Sequence, residues 1–140
     1  MTLATNKRMT ARQYRALADF RYELRRFLRY SEEVTRRHGM TPLQYQMLLQ
    51  IRGYPRRSQA TVGELAERLQ AKHHGVVALV TRCERAGLVA RRASAADRRA
   101  VLVRLTARGE RELERLARLH RNELLEIQDR LAIPGLGALR

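Results

Sequence analysis

The sequence predicts a mainly α-helical chain with one small β-hairpin, arranged as a winged helix-turn-helix domain between an N-terminal and a C-terminal helix. Two sets of local signals support this prediction. Threonines followed three residues later by Gln or Glu, the spacing of a capping box, mark helix starts at Thr10, Thr41 and Thr61. Glycines able to adopt the left-handed conformation mark helix ends at Gly39, Gly53 and Gly87.

The first three helices follow from these signals. A helix over residues 10–38 carries apolar side chains along one side at roughly helical spacing. Pro42, suited to a first helical position, begins a second helix over residues 42–52. This helix is expected to turn inward Tyr45, Leu48, Leu49 and Ile51. Residues 54–60 are interpreted as a polar basic loop, and a short third helix covers residues 61–69.

A fourth helix within residues 71–87 has two dissimilar sides. One side is apolar and is expected to pack on the third helix through Val76, Leu79, Val80 and Cys83, which makes Cys83 an inert packing residue. The other side is small or cationic, which suits close approach to a DNA major groove. Its candidate DNA contacts are Lys72, His73, His74, Val77, Ala78, Thr81 and Arg82. The alternative is an ordinary amphipathic helix with a solvated polar face.

Two β-rich runs, residues 88–92 and 101–105, predict a hairpin with a tip longer than a tight turn needs. The tip is rich in arginine and contains one acid, Asp97, which we expect to hold the Arg99 guanidinium for insertion into a minor groove. A solvated charge run is the alternative. The candidate DNA contacts of this wing are Arg92, Ser94, Asp97, Arg98 and Arg99.

The first helix and a last helix over residues 107–131 carry more apolar surface than a small winged domain can cover. A symmetric dimer is the commonest way to bury such surface, and packing of both helices on their own domain is the alternative. The organisation is then an N-terminal arm and dimerisation helix (1–38), a winged domain (39–105), and a C-terminal dimerisation helix and tail (106–140). The predicted dimer contacts are Tyr14, Leu17, Leu113, Leu116, Leu124 and Ile127.

The charge of the chain indicates a polyanionic partner. Lys and Arg number 29 against 14 Asp and Glu, for a net charge of +15, which nucleic acid or an anionic membrane surface would attract. No apolar stretch approaches the roughly 20 residues of a membrane span, and the first residues lack the apolar region of a signal peptide. A single cysteine excludes an intramolecular disulfide framework. These features predict a soluble cytoplasmic protein that does not act in a membrane.

Patterns typical of catalysis or metal binding are absent from the sequence. His73 and His74 are adjacent and so diverge on a helix, and His38 and His120 are isolated. The sequence has no glycine-rich phosphate loop, no recognisable serine–histidine motif and no acidic cluster suited to catalysis. We therefore expect no enzymatic activity, no metal site and no cofactor.

Three segments resemble a known family: GELAERL, ERAGLVARR and DRRAVLVRLTARG. With the flanking helices, over about residues 10–131, they resemble the MarR family of winged helix-turn-helix transcriptional regulators. The family's wing pattern falls here on Asp97, Arg99, Leu105 and Thr106. The resemblance implies a homodimer that binds a pseudo-palindrome in double-stranded DNA, with recognition helices in major grooves and wings in adjacent minor grooves.

The resemblance also implies a repressor whose binding is relieved by a small ligand or an oxidant. Spacing assigns no residue to a ligand pocket, and the N-terminal helix lacks the reactive cysteine of the oxidant-sensing branch. Family members often have a further C-terminal helix where this sequence has LAIPGLGALR. Two other classes stay open: a non-specific architectural or RNA-binding protein, which explains the charge but not the wing, and a protein-binding scaffold, against which the charge argues.

Overall fold

The computed structural model describes residues 7–97, 99–131 and 139. Within them the chain forms α1 (Ala11–Arg37), α2 (Pro42–Arg52), β1 (Gln59–Thr61), α3 (Val62–Leu69), α4 (His73–Arg85), β2 (Val89–Ala93), β3 (Val101–Leu105) and α5 (Ala107–Leu131). Arg98, most of the predicted C-terminal tail and the side chain of Leu131 lie outside this description. No helix in the described part is long and apolar enough to cross a membrane.

The threonine caps form as predicted. The Thr41 and Thr61 hydroxyls each accept a hydrogen bond from the backbone three residues on, and the Gln44 and Glu64 side chains return the bond to the threonine N–H. Thr10 makes the same exchange with Gln13. These reciprocal bonds satisfy backbone donors that the first helical turn leaves open.

The helix ends predicted from glycines are confirmed at all three positions, and two of the glycines adopt the left-handed conformation. Gly39 and Gly87 both have a φ of +76°, the left-handed conformation that ends a helix. Gly53 caps the C-terminus of α2 as predicted, but without the left-handed conformation, because its φ is −88° and its N–H bonds to the Leu49 carbonyl. Helix α3 ends at Gln70, which has a φ of 50° and so forms a left-handed turn before α4.

The predicted hairpin is part of a three-stranded antiparallel sheet with the order β1-β3-β2. Val89 lies opposite Leu105, and Ala93 lies opposite Val101. The interpretation of residues 54–60 as loop throughout is wrong at its end, because β1 pairs there with β3 and places a fully buried Ala60 opposite Val103. β3 is distant from β1 in the sequence, so no local sequence pattern could predict this pairing.

Residues 31–120 form one compact unit with a hydrophobic core from α2, α3, α4, the sheet and the start of α5. In α2 the predicted inward set is corrected: Met47 is fully buried and Leu49 is 40% exposed. Leu113 and Leu116, predicted as dimer contacts, lie in this core, 4% and 0% exposed. That assignment is wrong, because side chains enclosed by their own domain present no surface to a partner.

His120 completes this unit as a buried polar residue whose bonds are satisfied. Its Nδ1 lies 2.7 Å from the Leu116 carbonyl oxygen and its Nε2 lies 2.7 Å from the Ser31 hydroxyl. The imidazole stacks on the Tyr45 ring at a centroid distance of 4.3 Å, and burial raises the Tyr45 pKa to about 12. These contacts join the end of α1 to α5 beside the winged core.

The parts of α1 up to Tyr30 and of α5 from Arg121 belong to a second compact unit. Glu23 forms ion pairs with Arg26 and Arg130 in this unit. Ile127, a predicted dimer contact, is only 5% exposed and so offers almost no surface to a second copy, which corrects its assignment. Large apolar side chains are exposed on the same helices: Tyr14, Leu17, Tyr22, Leu28, Leu124 and Leu125.

Candidate nucleic-acid interface

Helix α4 has the two-sided character that the sequence predicts. Four side chains are enclosed against the winged core: Val76, Leu79, Val80 and Cys83. Burial raises the pKa of the Cys83 thiol to about 11, more than the nearby Arg82 lowers it, so the thiol stays protonated. An enclosed and protonated thiol packs as a small apolar group.

The opposite side of α4 is open to solvent. Lys72, at the N-cap, makes no side-chain hydrogen bond to the first turn, so the N-terminal amides of α4 lack the cap that α2 and α3 have. An N-terminus with unbonded amides attracts phosphate. Six of the seven predicted contacts are exposed: Lys72, His73, His74, Val77, Ala78 and Arg82. Thr81 is the exception, because its side chain is half-buried on the flank toward the sheet.

Arg85 also lies on this open side and was missed by the sequence analysis. It is exposed in the last turn of α4 and lies seven residues after Ala78, close to two helical turns. The helical spacing alone was sufficient to place it beside Ala78 and Arg82. The exposed side of α4 therefore carries two arginines in its C-terminal half.

The wing tip is held by hydrogen bonds to the backbone. Ser94 N–H donates to the Ala100 carbonyl at 3.0 Å, and the Ser94 hydroxyl accepts from the amides of Ala96 and Asp97 at 3.3 Å each. The Asp97 carboxylate accepts the Arg99 amide at 2.9 Å. These hydrogen bonds give the described part of the wing tip a defined shape.

The predicted pairing of the Asp97 carboxylate with the Arg99 guanidinium is wrong. The carboxylate bonds the backbone of Arg99, and no ion pair joins the two side chains, both of which lie in the described part of the tip. An Asp at this position bonds the amide two residues on at little entropic cost, whereas an exposed ion pair must order a long arginine side chain. The Arg99 guanidinium therefore stays exposed.

A cleft of about 330 Å³ separates the first half of α4 from the wing, with His73 and Val77 on the helix side and Arg91 and Arg99 on the wing side. Arg91 was missed by the sequence analysis. Its guanidinium donates a hydrogen bond to the Thr81 hydroxyl at 2.7 Å and so reaches from β2 to α4. Neither propensity nor spacing relates these two residues, because the contact exists only in the folded sheet.

The start of α3, at one end of this cleft, is fixed by Glu64. Partial burial acts against the charged carboxylate, but hydrogen bonds from Tyr54, Thr61 and Arg57 outweigh it and hold the Glu64 pKa at about 2. The negative charge of Glu64 is thus used to cap α3 and to anchor Arg57. Because its negative charge is engaged in this way, Glu64 opposes little of the positive charge on α4 and the wing.

Residues 72–106 contain eight basic residues and only two acids, Glu84 and Asp97. One of the two acids, Asp97, is engaged with the backbone of the wing turn. Helix α4 and the projecting hairpin are both positively charged. Together they form a surface that suits the phosphates on both sides of a duplex groove. We call α4 together with β2, β3 and their tip the basic face.

Residues 38–100, which include most of the basic face, match the protein-family model described as the MarR family. This part of the chain is similar to the MarR family. An uncharacterized HTH-type transcriptional regulator of Bacillus cereus is 35% identical to the chain over 85 residues, 61% of this chain and 54% of that protein. The chain therefore spans about half the length of the curated relatives it matches.

Solved structures confirm the winged-helix fold of this domain and the helices that flank it. A MarR family protein from Bacillus stearothermophilus shares 27% identity at a TM-score of 0.73, covering 86% of this chain and 82% of that one. A Staphylococcus aureus MepR variant bound to an oligodeoxyribonucleotide shares 21% identity at a TM-score of 0.65, with 89% and 86% covered.

Proposed function

We propose that this protein is a sequence-specific regulator of transcription that binds a pseudo-palindrome in double-stranded DNA as a homodimer and represses until a small ligand relieves it. The observation that supports DNA binding most directly is the basic face. It combines an open helix side, an N-terminus without a side-chain cap and an exposed arginine on a shaped wing. Such a role belongs in the compartment that contains the chromosome, the cytoplasm of a bacterium.

The shape of the basic face suggests which DNA groove α4 and the wing each contact. Ala78 and Val77 are small enough to let α4 lie deep in a major groove, where His74 and Arg82 have donors to offer base edges and phosphates. The wing would then lie over the adjacent minor groove, which attracts exposed arginines such as Arg99 where it is narrow. The MepR variant with a similar fold is bound to an oligodeoxyribonucleotide, which favours DNA as the partner.

The homodimer is proposed from the unit that contains the ends of the chain. Its two helices expose Tyr14, Leu17 and Leu124, three of the predicted contacts, together with Leu125 at 59% exposure. Apolar surface of this kind is stabilised by a second copy, and a two-fold pair of winged domains reads two half-sites about 34–36 Å apart. The relief by a small ligand rests on the family resemblance alone.

The proposal is tested with Ala78→Glu, which places a carboxylate in the centre of the exposed side of α4. Ala107→Glu is the matched control, because it makes the same chemical change at an exposed position at the start of α5, beyond the strand end opposite the tip. The probe is a duplex selected by the wild-type protein from a random library. Binding is measured by fluorescence anisotropy, with a scrambled duplex of equal length as competitor.

We expect Ala78→Glu to lose at least about a hundredfold in affinity, since it removes base contacts and opposes phosphates, while Ala107→Glu binds like the wild type. Arg99→Ala should weaken binding and lower the slope of log affinity against log salt by about 1. Normal binding by Ala78→Glu would refute the assignment of the reading side. Equal affinity for scrambled DNA would favour the architectural alternative.

A further inference from the structure

Thr81 is set apart from the other predicted contacts of α4 by two hydrogen bonds that its hydroxyl already makes within the protein. The hydroxyl donates to the Val77 carbonyl at 3.1 Å and accepts from the Arg91 guanidinium at 2.7 Å. A hydroxyl has a single hydrogen to donate, so a base edge that needs a donor would have to displace the Val77 bond. The side chain is also half-buried, whereas its neighbours Ala78 and Arg82 are exposed.

Arg91 supplies the other half of this contact from the wing. It lies in the middle of β2, opposite Val103, and its side chain lines the cleft and reaches Thr81 on α4. Apolar packing does not fill this cleft, which has a volume of about 330 Å³. Beyond the core packing at the start of β2, the hydrogen bond from the charged Arg91 donor to Thr81 holds the middle of β2 at a fixed distance from α4.

We propose that Thr81 and Arg91 are positioning residues that set the angle of the wing relative to α4, and that Thr81 reads no base. Because the helix and the wing must enter neighbouring grooves together, a wing that is free to swing gains less from each of its own contacts. This inference rests on the proposed DNA-binding function. It goes beyond that function by separating residues that touch DNA from residues that arrange those that do.

The test uses three substitutions in the full-length chain and the selected duplex. Thr81→Val keeps the shape and removes the hydroxyl, Thr81→Ser keeps the hydroxyl, and Arg91→Gln removes the charged donor. Affinity is measured for each single variant, for Thr81→Val with Arg91→Gln, and for each of these in an Arg99→Ala background. A repeat of the duplex selection reports the preferred base at each position of the site.

We expect Thr81→Val to bind about tenfold more weakly, Thr81→Ser to bind within about threefold of the wild type, and the double variant to bind no more weakly than Arg91→Gln alone. Arg99→Ala should cost less affinity in the Thr81→Val background, since a loose wing has already lost part of that contact. The selected sequence should be the same for the wild type and for Thr81→Val. Thermal melting should be within a few degrees of the wild type for both Thr81 variants.

Two results would overturn the inference while leaving the proposed function intact. One is wild-type affinity for Thr81→Val. The other is a changed preference at one base position together with additive effects of Thr81→Val and Arg91→Gln, which would make Thr81 a reader of that base. A wild-type protein that does not prefer the selected duplex over the scrambled one would instead refute the proposed function, and this inference with it.

Discussion

Gly109, the third residue of α5, is a position at which we expect even alanine to destabilise the fold. A Cβ at this position would overlap the carbonyl oxygen of Leu88 and come within 3.0 Å of its carbonyl carbon. The Leu88 backbone cannot retreat freely, because its carbonyl accepts the Thr106 amide at 3.0 Å. The Thr106 hydroxyl in turn donates to the Gly87 carbonyl at 2.6 Å and accepts the Gly109 amide at 3.0 Å.

The magnitude follows from three contributions to the free energy of unfolding. Alanine in a helix is favoured over glycine by about 1 kcal/mol. Overlap with fixed backbone costs about 2–3 kcal/mol, and the movement that relieves it breaks the Thr106 bonds, which costs about 1–2 kcal/mol more. Gly109→Ala should therefore lower the stability by about 2–4 kcal/mol.

Gly75→Ala is the matched control for this prediction. Gly75 lies in the first turn of α4, and a Cβ there would meet nothing within 4 Å. The same substitution should leave stability unchanged or raise it by up to about 1 kcal/mol. Both variants are measured by urea unfolding with far-ultraviolet circular dichroism at one protein concentration. A Gly109→Ala midpoint equal to or above that of Gly75→Ala would refute the reasoning.

Two further predictions concern the core and the acid stability. Leu116→Ala should lower the free energy of unfolding by about 2–5 kcal/mol at any protein concentration, because the side chain is enclosed by its own domain, whereas the exposed Leu125→Ala should act mainly on the concentration dependence of the unfolding midpoint. A loss of stability in Leu116→Ala that disappears at high protein concentration would instead indicate that Leu116 lies in the dimer interface. Because the Glu64 pKa is lowered from 4.5 to about 2, its charge stabilises the fold fully above about pH 4.5, and this stabilisation is lost as the pH falls toward 2. Glu64→Gln should flatten the loss of stability over that range in acid titrations followed by circular dichroism, and an unchanged acid limb would contradict the role of these hydrogen bonds.

The helix starts could be predicted from the sequence because a capping box involves residues three positions apart. Thr41 and Thr61 carry both halves of the box in the sequence, so the helix that each begins needs no knowledge of the rest of the fold. The two sides of α4 were predictable for the same reason, since helical geometry places Val76, Val80 and Cys83 together before any partner is known.

The features that could not be predicted depend on which part of the folded chain packs against a given residue. The stripe of α5 is apolar along its length, and the sequence does not distinguish the turns that face the winged core, such as Leu116, from those that stay exposed, such as Leu124. Residue type also left the bonding of Thr81 and Asp97 undetermined. Each hydroxyl or carboxylate has several possible partners, and only the folded geometry selects the Arg91 guanidinium for one and a backbone amide for the other.

The distribution of paired charge gives a last argument for the basic face. Along α1 and α5, arginines have acidic partners three or four residues away, among them Arg36 with Glu32 and Arg118 with Glu114. Exposed pairs of this kind add little stability, so their main effect is to cancel charge on those helices. No ion pair is found in the described part of α4 and the wing. Residues 107–131 have six basic and six acidic residues, and residues 11–37 keep a net charge of +4, whereas residues 72–106 have a net charge of +6. The largest surplus therefore lies on the basic face, and the affinity for DNA should fall steeply with salt.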